Sequence, residues 1–221
     1  MSLISAVLHG EVMMVILLLL SRAFVLLCCL PIHELAHGWV AYKLGDNTAK
    51  NSGRLTFNPL AQLNPVGTVM ILLFGIGYAN PVPINPNNFK NPKYGMALTA
   101  LAGPVSNLLM GFISVFVFYG IKATATSVAA GYIAMFFYYA ASVNVSLAVF
   151  NLIPIPPLDG SRVLSAFLPD KTYFNIMRYE RYIMIGLMVV LFTGVLDGFI
   201  SFLSNAMMNF ISIIPKLIFG A

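Results

Sequence analysis

His33 and His37 stand four residues apart, with Glu34 beside the first, at the end of an apolar run from Val12 to Ile32 whose one charge is Arg22. On a helix, residues i and i+4 share a face, so both imidazoles aim at one point. A charged side chain at the bilayer centre costs roughly 2.5–3.5 kcal/mol. His, Glu and His placed together at that depth therefore call for a partner, and a metal ion is the natural one. Zinc binds such a pair, and the neighbouring carboxylate serves as general base toward a water at the metal. Two of the three histidines in the chain fall inside this His33-Glu34-Leu35-Ala36-His37 motif.

Two imidazoles leave zinc one short of the three protein ligands usual at a catalytic site. The segment Asn151-Leu152-Ile153-Pro154-Ile155-Pro156-Pro157-Leu158-Asp159-Gly160 offers a third. Apart from Asp46, Asp159 is the only carboxylate between Glu34 and Asp170. Prolines before it stiffen the backbone, and Gly160 permits an unusual dihedral after it. Asp159 as a metal ligand stands against Asp159 as the N-cap of a helix beginning near Ser161. Asn151 is a candidate catalytic residue, its amide placed to donate to a developing oxyanion; the alternative is that it satisfies a carbonyl freed by the prolines. Cys29 shares the face of His33 and His37 at four-residue steps, but an apolar free cysteine reads as packing.

The elements that must carry these residues are membrane segments. Of 221 residues, 59% are hydrophobic and 9% charged, with mean hydropathy +0.88, which excludes an ordinary soluble domain. The expected fold is an all-α polytopic membrane protein with about five or six membrane segments in a single domain over 1–221. Residues 3–20 form either a short first span or the outer half of a long helix, with a plausible break at Ser21-Arg22. The metal-motif helix is expected at 22–44, ending at Gly45. Further spans are expected at 94–120, 127–153 and 182–204, with 205–221 along the interface. Residues 66–78 are apolar but too short to cross, and read as a re-entrant loop or β-hairpin, or else as a short buried helix. Residues 79–93 hold four prolines and read as extended. Small residues at Ala102-Gly103-Pro104 suit close helix approach. Gly194 and Gly198 make a G-x-x-x-G step, read as packing within the chain.

The net charge of +5 fits membrane orientation better than nucleic-acid binding. Lys43, Lys50, Arg54, Lys90, Lys93, Arg162, Lys171, Arg178 and Arg181 fall in or beside two loop regions, and Lys122 marks the opposite side. The positive-inside rule makes the former cytoplasmic. About 10 Å of helix separates His37 from Leu44, so the metal is expected inside the membrane near that face. No removable signal peptide is expected, and adjacent Cys28 and Cys29 form no disulfide framework.

These residues resemble the site-2 protease family of intramembrane metalloproteases. The resemblance rests on His33 to His37, on Ala102-Gly103-Pro104-Val105-Ser106-Asn107, and on Asn151 through Gly160, and it covers most of the chain. It looks like the compact prokaryotic branch, without the PDZ insertion or CBS pair of other branches. The resemblance implies one zinc ion held by His33, His37 and Asp159, Glu34 as base, and Asn151 assisting near the reaction centre. It implies transmembrane protein substrates cut within the lipid bilayer. The alternatives are a metal-binding transporter and an inactive scaffold of the same fold.

Overall fold

The computed structural model describes residues 3–75 and 77–220, and the regular structure in them is helical throughout. The elements are α1 (Leu3–Leu8), α2 (Val12–Lys43), α3 (Thr48–Asn51), α4 (Pro59–Gln62), α5 (Pro65–Phe74), α6 (Pro92–Thr124), α7 (Val128–Asn151), α8 (Asp159–Ser165), α9 (Asp170–Met177), α10 (Glu180–Phe192) and α11 (Asp197–Phe219). A chain this apolar satisfies its own backbone by forming helices, since lipid offers no hydrogen bonds. Four of them, α2, α6, α7 and α11, are long and apolar enough to cross a membrane. Their outward faces carry large apolar side chains such as Leu20, Leu27, Leu109, Ile133, Phe202 and Phe210.

The expected span at 182–204 is not one helix. Gly194 turns the chain with φ 71°, separating α10 from α11. At 13 residues, α10 is about 20 Å long, short of the ~30 Å hydrocarbon core. Residues 205–219, expected along the interface, continue α11 instead. They pack on α6 and α7 through Ile211, beside Val115, Ala141 and Val145. The G-x-x-x-G step is no packing face here: Gly194 makes the turn, and a methyl on Gly198 would meet nothing.

Ser21-Arg22 is no break either. Residues 12–20 are the first half of α2, and Arg22 lies buried inside that helix. Its Nη1 donates to the carbonyls of Leu72 (2.6 Å) and Leu73 (2.8 Å), the last turn of α5. A cation there satisfies carbonyls that a helix end leaves unpaired. Of the readings offered for 66–78, the β-hairpin does not form among the described residues: the segment is a helix, α5, over most of its length. Asn64 caps it, accepting from the backbone N–H groups of Val66 and Gly67, and Pro65 occupies its first turn. The chain does turn back on itself: Asn80 donates its N–H to the Gln62 carbonyl at 2.8 Å and its amide to Leu63 at 2.8 Å.

The Asn-Pro pairs behave alike. Asn58, Asn64, Asn85 and Asn91 each accept from a backbone N–H at the start of a helical turn, with proline next in the chain. Asn80-Pro81 is the exception, because the Asn80 side-chain oxygen accepts from the Asn64 amide at 3.1 Å instead of from a backbone N–H.

Just past α2, Asp46 fixes the loops beneath the site. Its carboxylate accepts from Thr48 Oγ1 (2.5 Å), the Thr48 N–H (3.0 Å), the Asn88 amide (2.7 Å) and the Asn85 N–H (2.7 Å). Burial alone would raise its pKa, but the bonds from Thr48, Asn88 and Asn85 outweigh burial and hold it below the ordinary 3.8. A carboxyl depressed on folding adds stability that is complete above its unfolded pKa and is lost as pH falls through its folded one. Asp46→Asn is expected to cost about 1–3 kcal/mol at neutral pH. Thermal unfolding in detergent should show that gap closing as pH drops below 3.8.

Candidate metal centre

The site is assembled at one end of α2, α6 and α7. The π turn Val25–Cys29 widens α2 just before the motif. Pro31 accounts for it: proline has no N–H for the Leu27 carbonyl and its ring crowds that group, so the wider turn relieves both. Beyond it His33, Glu34 and His37 are all buried. Beneath them Val25 and Cys29 pack on Ala140, Val143 and Leu147 of α7. The small Ala140 lets the two helices come close.

His37 Nδ1 lies 2.7 Å from the Thr99 carbonyl of α6, a geometry in which Nδ1–H donates and Nε2 keeps its lone pair. His33 Nε2 is 3.0 Å from His37 Nε2. Asp159 Oδ2 lies 3.4 Å from each of those two nitrogens. Four-coordinate zinc with bonds near 2.0–2.1 Å separates its ligands by about 3.3 Å. The triangle of 3.0, 3.4 and 3.4 Å matches that spacing. Asp159 Oδ2 is buried and accepts no hydrogen bond, so its lone pairs are free for a cation. Among the described residues, His33, His37 and Asp159 are the one group of three such side chains able to hold a metal. The residues present fit zinc.

Asp159 reaches the rings because the prolines end α7 and the chain re-enters as α8. Leu158 takes the N-cap position; Asp159 sits in the first turn and makes no capping bond. Gly160 works differently from its expected role. Its φ is not positive, but a methyl there would strike the carbonyls of Leu152 and Ile153. Close backbone approach, not an unusual dihedral, excludes a side chain.

Cys29 Sγ sits 3.4 Å from the Asn144 amide and takes no place in the triangle. Glu34 Oε2 accepts from the Val82 N–H at 3.0 Å. A cavity of 270 Å³ brings together His33, Glu34, Asn151 and Asp159, with Tyr78 and Asn80 on its wall.

Three partners were not legible as site residues. Thr99 and Val82 act through backbone atoms, which leave no mark on residue type. Arg54 holds the wall in place, donating from Nη2 to Gln62 Oε1 (2.7 Å) and the Asn80 carbonyl (2.8 Å). Gly103 had a signal, the small-residue stretch, but its neighbours did not: a methyl on it would run into both imidazoles. Gly103→Ala is therefore expected to weaken zinc binding at least ~10-fold through displaced rings. Chelator competition on the purified variant measures this, and wild-type affinity would contradict it.

Comparison with known proteins agrees with this chemistry. Residues 119–196, which include Asn151 and Asp159, match Peptidase family M50. The chain is 40% identical over 171 residues to the Bacillus subtilis protein named "Putative zinc metalloprotease YwhC", covering 76% of this chain and 78% of that one. It is 30% identical over 142 residues to "Zinc metalloprotease MJ0392" of Methanocaldococcus jannaschii, covering 63% of this chain and 32% of that protein. No solved structure matches it significantly. With a buried triangle of two imidazoles and a carboxylate, and 40% identity across most of a relative's length, the chain belongs to Peptidase family M50 and is a zinc-dependent protease.

Proposed function

We propose that this protein hydrolyses peptide bonds of membrane-spanning protein substrates within the bilayer, near its cytoplasmic face. His33, His37 and Asp159 hold one zinc ion, Glu34 is the general base, and Asn151 supports the reaction centre. The observation that carries this reading is the meeting of three buried ligand atoms, from α2 and the start of α8, at the end of helices apolar enough to cross a membrane.

Zinc, when bound, polarises the scissile carbonyl and lowers the pKa of water. Glu34 takes a proton from the attacking water and delivers it to the leaving nitrogen. The Val82 N–H fixes Oε2, which leaves Oε1 to carry that proton. Asn151 lines the same cavity, and its side-chain amide has no hydrogen-bond partner among the described residues, which leaves it to donate to the developing oxyanion. The substrate must arrive unwound, because a helical amide is shielded and already hydrogen-bonded.

Depth and side follow from the flanks. Trp39 is exposed two residues beyond His37, with Lys43 Nζ 5.4 Å from its ring, the pairing expected where lipid meets water. The basic loop residues lie at this same end of the helices, and Lys122 at the other. That asymmetry supports a site toward the cytoplasm, and the bacterial and archaeal relatives fit a prokaryotic cell membrane. The short α5, folded back between Gln62 and Asn80, supports a re-entrant segment beside the cleft. Intact Glu34 speaks against an inactive scaffold.

The test is a labelled single-span substrate co-reconstituted with the enzyme in liposomes. Cleavage should fall inside the apolar stretch, stop with a zinc chelator and return with zinc. Cutting confined to water-exposed loops would overturn the intramembrane assignment.

A further inference from the structure

We infer that Asn107 is a positioning residue for the metal centre, holding the outer nitrogen of His33. This rests on the proposed ligand role of His33. Asn107 is 1% exposed, and neither its Oδ1 nor its Nδ2 has a hydrogen-bond partner. Leaving both ends of an amide unpaired in the interior costs roughly 1–3 kcal/mol per group, so two such atoms point to something they serve. His33 Nδ1 is likewise buried and unpartnered, as is Asn144 Oδ1.

The helical register brings these atoms to one level. On α6, Thr99, Gly103 and Asn107 follow at four-residue steps on one face. Thr99 meets His37, and Gly103 faces His37 and His33. Numbers thus rise along α6 as they fall along α2. The next step, Asn107, lies level with His33 and Cys29. One step further, Gly111 faces Ala141 and Val145 of α7. Cys29 in turn touches Asn144 of α7. Asn107 therefore stands where α2, α6 and α7 meet.

A metal-bound imidazole donates its other N–H to an oxygen acceptor, which fixes tautomer and ring angle. His37 has that acceptor in the Thr99 carbonyl. For His33 the acceptor is Asn107 Oδ1, reached through one trapped water because no direct bond links the two, and Asn107 Nδ2 faces Asn144 Oδ1 in the same mediated way. The two ligands would then be oriented by two residues eight apart on a single helix.

The test compares Asn107→Leu, Asn107→Asp, Asn144→Leu and His33→Ala in the full-length protein, by chelator competition for zinc and by thermal unfolding of the metal-free form. Asn107→Leu should lower zinc affinity roughly 10–100-fold. It should leave metal-free unfolding unchanged or raised, because unpaired polar atoms are removed. Asn107→Asp keeps the acceptor and should hold zinc within about threefold of wild type, and Asn144→Leu, which removes only the far partner of the Asn107 amide, should weaken zinc less than Asn107→Leu does. If Asn107→Leu does not fold, Asn107→Ala carries the same expectation of weakened zinc. Wild-type zinc affinity in Asn107→Leu or Asn107→Ala, with His33→Ala unable to bind, overturns this inference alone. Zinc binding that survives His33→Ala overturns the ligand reading beneath it.

Discussion

Glu34→Gln is expected to keep its zinc and to lower kcat by roughly 10²–10⁴-fold, the range for removing a general base. Glutamine keeps the size of the side chain and still accepts the Val82 N–H, so the wall of the cleft should stay in place. What it loses is the oxygen that carries the proton. The loss should appear in kcat with little change in KM, because Glu34 is given no part in holding the substrate. Zinc content by elemental analysis and single-turnover cleavage in liposomes together measure it. A variant that cuts at the wild-type rate would remove Glu34 from the reaction.

Asp159→Ala is expected to lose the metal itself. Two imidazoles 3.0 Å apart remain, but a two-ligand site falls below the three that catalytic zinc takes from protein. Affinity should drop by more than the roughly 100-fold that an outer-layer substitution costs. Activity should vanish at ordinary zinc levels and recover in part with excess zinc. Dialysis against a chelator, followed by metal analysis, distinguishes this from Glu34→Gln, in which zinc stays. Asp159→Ala retaining tight zinc would show that the carboxylate near both rings is a bystander.

The candidate site was legible because its grouping rests on residue types at short spacing. His33, Glu34 and His37 lie within five residues, and helix geometry alone aims the two rings together. Asp159 was singled out as a candidate by counting carboxylates and ligands, which needs no tertiary knowledge. Its approach to His33 and His37 from a separate helix could not be computed that way, yet the order of segments already required both to lie at one membrane face.

Elsewhere local signals misled. Ser21-Arg22 looked like a break because a charge in an apolar run is costly. Its compensation, the carbonyls of Leu72 and Leu73, lies 50 residues away. Residues 182–204 carry one charge, Asp197, and the turn at Gly194 is set by one backbone angle that hydropathy does not register. The short apolar stretch after Asn64 was ambiguous between strand and helix by length. Its decisive feature, Asn64 as cap with Pro65 next to it, is present in the sequence but shows as a cap only beside the helix that follows. Gly160 was marked for the right smallness and the wrong cause, since crowding by Leu152 and Ile153 shows only in three dimensions.

Zinc-edge X-ray absorption on the purified protein addresses the ligand set without relying on turnover. One zinc per chain should show two imidazoles and oxygen donors, falling to a single imidazole in either His33→Ala or His37→Ala if those variants retain metal under zinc excess. A sulfur neighbour from Cys29, or an imidazole count untouched by both substitutions, would contradict a centre built from His33, His37 and Asp159.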